Sequence, residues 1–280
     1  MKASRSFRVI RAVVLTGLTI FAMVPLYTMI VASVTDSTQI QLGFQWLPSG
    51  VSLAPYVQMW QTIDLLHYLI NSTLVALITT VLSVLLGLLA GYAITRHRFT
   101  GKRTVLYSVM ITQTFPGILF LLPLFILYVS IDRAIGLSLI GSYLGLIITY
   151  LSFSLPFCIW LLIGYLASVP VDTEEAAMTD GCGRLEAFFR ITLRMAAPGV
   201  LAVGVFTFIS AWSEVLFASV LTNEATRTLP IGFQLFKNGH GVVEWNQLMA
   251  ASLTISVPVV IVFLWLQRYF VRGLSAGSEK

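Results

Sequence analysis

Apolar residues run through this chain of 280 residues in six long blocks, at roughly 12–34, 71–94, 105–130, 139–167, 198–222 and 249–270. Each is about 20 residues or longer, the length a helix needs to cross the hydrocarbon of a bilayer. The pattern predicts an all-α membrane protein with six transmembrane helices in one domain, residues 1–280. An even number of spans puts both termini on the same side.

The intervening segments are not equivalent. The external stretch 35–70 carries Pro48, Gly50 and Pro55, then an apolar-rich run Leu53–Leu69 expected at the membrane interface. Asn71-Ser72 reads as a cap for span 2. The third block holds Thr112, Gln113, Thr114, Pro116-Gly117 and Pro123, and proline removes a backbone donor and kinks a helix. Such a break is tolerated where a span faces protein or a water-filled cavity, so a transport path and a structural bend both account for it.

Spans 2 and 4 carry Gly87-x-x-x-Gly91 and Gly141-x-x-x-Gly145. This spacing brings helix backbones close in lipid, most simply within one subunit. In the fifth block Gly204, Thr207, Ala211, Glu214 and Ala218 make one small or polar helix stripe. Glu214 is the acidic residue that these boundaries place inside a span. A charge there costs about 2.5–3.5 kcal/mol on insertion scales and turns toward the bundle or a cavity. Contact with a pathway and a hydrogen bond to a neighbouring helix both answer that cost.

Composition agrees: 57% of residues are apolar and 10% charged, with a mean hydropathy of +0.88. Fourteen of the seventeen Lys and Arg flank the spans on one side, while Arg133, Arg227 and Lys237 lie on the other. Basic residues collect on cytoplasmic loops, which makes both termini cytoplasmic. The same asymmetry explains the net charge of +5 without a nucleic-acid partner. Span 1 is too long for the about 7–15-residue core of a signal peptide. Cys158 and Cys182 fall in separate segments of a reducing compartment, and His67, His97 and His240 have no metal-ligand spacing.

Between spans 4 and 5, segment 170–197 reads as two short helices. Asp172 and Glu175 make a capping-box-like start, Ala176 and Ala177 offer a smooth surface, and Gly181 suits a left-handed C-terminal cap. A second helix, Leu185 to Ala196, leads to Pro198. Here Glu175-Ala176-Ala177, three residues, Gly181, nine residues and Ile191-x-Leu193 follow one another. This spacing resembles the E-A-A loop through which permease subunits of bacterial ATP-binding-cassette importers dock on their ATPase.

The resemblance extends over about residues 10–277. Gly91-Tyr92-Ala93, Arg96 to Arg103, Pro123-Leu124-Phe125, Trp212-Ser213-Glu214 and Gln267 to Leu274 are similar to segments of the maltose-type carbohydrate permeases, of the G-subunit kind. It implies a type I importer permease fold. It also implies an ATPase-docking loop built from Glu174, Glu175, Ala176, Ala177, Asp180, Gly181, Ile191 and Leu193. Gln113, Thr114, Trp212, Ser213 and Glu214 become candidates for the translocation path. The implied partners are a homologous permease, two nucleotide-binding ATPase subunits, an extracytoplasmic solute-binding protein, membrane lipid and a sugar. Two positions depart from the family pattern: Arg194 stands for the loop proline, and Ser213 for an asparagine.

The phosphate-binding pattern G-x-x-x-x-G-K-[ST] has no match, because Arg96 stands five residues before Gly101-Lys102. No catalytic or metal site and no cofactor is therefore expected in this chain, and ATP and Mg belong to partner ATPase subunits. A proton-coupled transporter with Glu214 as relay is the alternative. A membrane-embedded enzyme finds no cluster of His, Asp and nucleophile to work with.

Overall fold

The computed structural model describes residues 5–43, 46–48, 50–237 and 241–276; Lys2, His240 and Lys280 lie outside them. The described helices are α1 (Arg5–Val34), α2 (Ser37–Leu42), α3 (Ala54–Thr62), α4 (Leu65–Arg96), α5 (Lys102–Thr112), α6 (Leu121–Ile135) and α7 (Tyr143–Ala167). After these come α8 (Val171–Thr179), α9 (Arg184–Ala187), α10 (Leu193–Trp212), α11 (Leu216–Leu221), α12 (Leu229–Gly232) and α13 (Trp245–Ala276). Among the described residues, five helical stretches are long and apolar enough to cross a membrane, and Trp245–Ile261 adds a shorter apolar one. The chain packs as two compact units, 1–66 with 232–260, and 67–231 with 261–280.

The first unit is built on α1, whose described side chains up to Leu26 are exposed and largely apolar. That surface suits lipid or protein, not water. At its end the Tyr56 and Ser33 hydroxyls lie 2.9 Å apart, and the Ser52 amide donates to the Val34 carbonyl. Asp36 caps α2 by accepting from the Thr38 amide at 2.9 Å. The bonds from the Thr38 hydroxyl and amide hold its carboxyl below the usual carboxylate range. The Leu53–Leu69 stretch divides into α3 and the first turn of α4, with an extended break at Ile63.

The second unit departs from the predicted boundaries in three places. Span 2 starts at Leu65 and not at residue 71, so Asn71 and Ser72 lie inside α4 and do not cap it. Their side chains serve a distant loop instead. Span 3 is two helices: α5 stops at Thr112, the chain opens through Pro116, and one 3-10 turn (Gly117–Phe120) leads into α6. Pro116 supplies no amide to continue the α5 ladder.

Span 5 is displaced by half its length. Helix runs from Arg184 through α9, a π-turn at Phe188–Thr192 and α10 to Trp212, then breaks before α11. Pro198 sits inside α10 and Arg194 interrupts nothing. The second loop helix is therefore the beginning of the span itself.

Gly87 and Gly91 lie against α7: a Cβ added to them would fall 2.9 Å from Leu162 and 3.1 Å from Leu166. Their spacing serves packing within the chain, around the cluster of Leu88, Cys158, Leu162, Leu166 and Val203. The span 4 pair is no such face, because Gly141 belongs to a turn with φ +72° before α7 begins. A second cluster joins Val75, Tyr128, Leu146, Ala211, Ala218 and Leu221.

Candidate functional site

The loop after α7 is held by a buried ion pair. Arg96, at the end of α4, donates from Nε to Glu174 Oε2 at 2.9 Å and from its second nitrogen to the Val169 carbonyl at 3.0 Å. Glu174 also accepts from the Thr192 hydroxyl in the π-turn. Both charged side chains are at most 7% exposed. One carboxylate of α8 thereby fastens the loop to the ends of two spans.

Glu174, one of the residues expected to build the docking loop, thus faces inward and anchors that loop. Ile191 is half-buried, and Leu193 packs on the apolar cluster beneath the loop, so both underpin it. Glu175, Ala176, Asp180 and Gly181 are exposed, and Ala177 is half-buried.

The helix start also differs from expectation: Pro170 stands at the N-cap without a side-chain bond, and Asp172 lies in the first turn. A carboxylate there suits the helix dipole without capping. The C-terminal end follows expectation. Gly181 has φ +98°, its amide donates to Met178 and the Cys182 amide donates to Ala177, the paired bonds of a Schellman motif. Leu185 and Phe189 are 71% and 58% exposed beside α8. Sequence reasoning passed over both, though large apolar residues in an otherwise polar loop were the available signal.

Within the bundle, α10 ends at Trp212 and Glu214 turns back on the restart. Its Oε1 accepts from the Phe217 amide at 2.9 Å and its Oε2 from the Ala218 amide at 3.0 Å, satisfying donors that a helix start leaves open. The stripe holds through the buried Thr207 and Ala211, after which the break replaces one continuous helix face.

Of the five path candidates, Gln113 and Glu214 line the same recess, of about 380 Å³. Thr114 is exposed at the α5 break and does not join them. Trp212 stacks on Phe208 with ring centres 5.4 Å apart, and the Ser213 hydroxyl donates to the Ile209 carbonyl at 2.7 Å. These two close off the end of α10.

At the other end of α4, the Ala225 carbonyl is met by His67 Nε2 at 2.6 Å, Asn71 Nδ2 at 3.0 Å and the Tyr143 hydroxyl at 3.2 Å. Asn71 also donates to the Arg227 carbonyl, and Ser72 accepts from the Leu229 amide. These bonds explain two polar residues in the second turn of a span.

Residues 83–276, more than half of the chain, match the family described as binding-protein-dependent transport system inner membrane component. The chain belongs to this family. It is a non-catalytic permease subunit of an ABC transporter, an inner membrane component by family, with the type I importer fold.

Relatives include the sulfoquinovosyl glycerol transport system permease protein SmoH of Agrobacterium fabrum, 39% identical over 84% of this chain and 80% of its own length. The trehalose/maltose transport system permease protein MalG of Thermococcus litoralis is 33% identical over 93% of this chain and 92% of its own. A solved bacterial ABC transporter involved in import of the acidic polysaccharide alginate has a chain of the same fold. It matches with a TM-score of 0.75 at 22% identity, over 96% of this chain and 99% of that one.

Proposed function

We propose that this permease carries a sugar inward, paired with a homologous permease. Two ATPase subunits that bind ATP and Mg drive the pair, and an extracytoplasmic solute-binding protein supplies the cargo. Relatives named for glycoside and disaccharide transport support the cargo class. The segregation of basic residues supports cytoplasmic termini and a cytoplasmic loop.

The observation that carries the coupling reading is the two-sided α8. Its inner face is pinned through Glu174 to Arg96 and Thr192, while Glu175, Ala176 and Asp180 are exposed. A short rigid helix held this way passes the displacement of a docked ATPase to the ends of spans 2 and 5. ATP binding then favours one of two permease states by binding it more tightly.

The test uses the reconstituted transporter. Glu175→Lys reverses an exposed charge of α8, and Gly181→Val forces a β-branched residue into a left-handed conformation. Both are expected to weaken ATPase association or to uncouple hydrolysis from uptake, with normal membrane insertion. Normal sugar-stimulated hydrolysis and uptake in both variants would falsify the docking role.

A further inference from the structure

The recess beside Glu214 has the chemistry of a binding site. Two aromatic pairs form its walls: Phe153 with Phe217, ring centres 4.7 Å apart, and Phe157 with Phe206, 4.5 Å apart. Between them stand Gln113, Ser210, Tyr150 and the Glu214 carboxylate. The Tyr150 hydroxyl is the unusual member. Tyr150 is 4% exposed, and its oxygen has no hydrogen-bond partner of good geometry among the described residues. The Glu214 carboxylate stands beside it and acts on it both by charge and as a poorly aligned hydrogen-bond acceptor. A buried hydroxyl whose bond is poorly aligned gains from a better-placed partner, and this one lines the recess, where a ligand hydroxyl can supply it. The volume falls at the lower end of small-molecule sites, about 300–1,000 Å³.

We infer that this recess is a subsite for one neutral sugar ring, so that this permease touches the cargo itself. The inference rests on the sugar reading above. Aromatic faces pack against the C–H faces of a pyranose, while Gln113, Ser210 and Tyr150 exchange hydrogen bonds with its hydroxyls. Glu214 fixes the sign: among the described residues a carboxylate lines the recess and no Lys or Arg does. A phosphorylated, sulfonated or uronic ring would meet like charge at low dielectric. Both Glu214 oxygens hold the restart of α11 and keep lone pairs for a sugar hydroxyl, so occupation of the recess bears directly on the break in span 5.

The test reads the recess locally. Ser210→Cys is placed in a Cys182→Ser background, where the remaining Cys158 is buried, and the assembled transporter in nanodiscs is treated with a small thiol reagent. Maltose or trehalose is expected to slow modification several-fold, and glucose 6-phosphate to leave it unchanged. Adding Tyr150→Phe should raise the protecting concentration about fivefold to tenfold, the effect of one lost hydrogen bond. Unmodified Cys158 confirms an intact core in each variant.

No protection by any neutral sugar, or equal protection by glucose 6-phosphate, overturns the subsite. Uptake of the same sugars is measured separately. If the transporter moves them without protecting the thiol introduced at position 210, the sugar reading stands and the subsite falls. If it moves none of them, both fall.

Discussion

Replacing Glu174 by alanine leaves the Arg96 guanidinium buried with, among the described residues, the Val169 carbonyl as its remaining bonded partner. It also strips the acceptor from the buried Thr192 hydroxyl. Removing one partner of a buried ion pair costs about 3–5 kcal/mol, because the other charge stays in low dielectric without compensation. Soluble domains of 150–250 residues lose about 2–4 °C in Tm per kcal/mol, which puts the expected drop at about 6–20 °C.

Cys158 supplies the assay, since it is buried in the cluster beneath the loop. In a Cys182→Ser background, a thiol-reactive fluorogenic dye reports its exposure as the protein is heated. Arg96→Leu with Glu174→Leu and Thr192→Val removes the three polar side chains together and leaves only the Val169 carbonyl short of a donor, so this replacement is expected to recover most of the loss that the single change causes. A Glu174→Ala melt within 2 °C of the parent, roughly one kcal/mol or less by the same scaling, would refute the clamp. So would a triple variant no more stable than that single one.

Sidedness is tested with an impermeant thiol reagent on intact cells: Glu224→Cys, exposed in the loop after α11, should react from outside while Cys182 does not. Asn71→Ala removes donors from the Ala225 and Arg227 carbonyls and an acceptor from Tyr143. It is expected to cost about 1–3 kcal/mol and to raise hydrogen exchange of amides 223–229; unchanged exchange would show that the loop is held by other contacts.

The spans were legible because apolar run length is a one-dimensional signal, and the Gly181 turn because left-handed backbone favours glycine. Their ends were less so. Hydropathy cannot distinguish a helix that begins in its own loop, as span 5 does at Arg184, from one that begins at Pro198. Nor does it see that the α10 ladder stops at Trp212 because a carboxylate two residues on can serve the restart. Asn71 and Ser72 have the composition of a cap, and their true partners stand more than 150 residues away. Glu174 and Glu175 are adjacent and chemically alike, and tertiary contact alone shows which of them points inward. The recess collects residues from four segments, so Tyr150, inside an ordinary apolar run, carries no local mark.

The opposed faces of α8 have a consequence for how such a transporter changes over time. Structural obligation rests on Glu174, which the fold buries and bonds from two sides, whereas Glu175, Ala176 and Asp180 stand exposed on the outer face. Substitutions at these outer positions are therefore nearly free of stability cost, and under the proposed docking role the surface offered to a motor can drift, or be redesigned for a different one, without disturbing the membrane bundle.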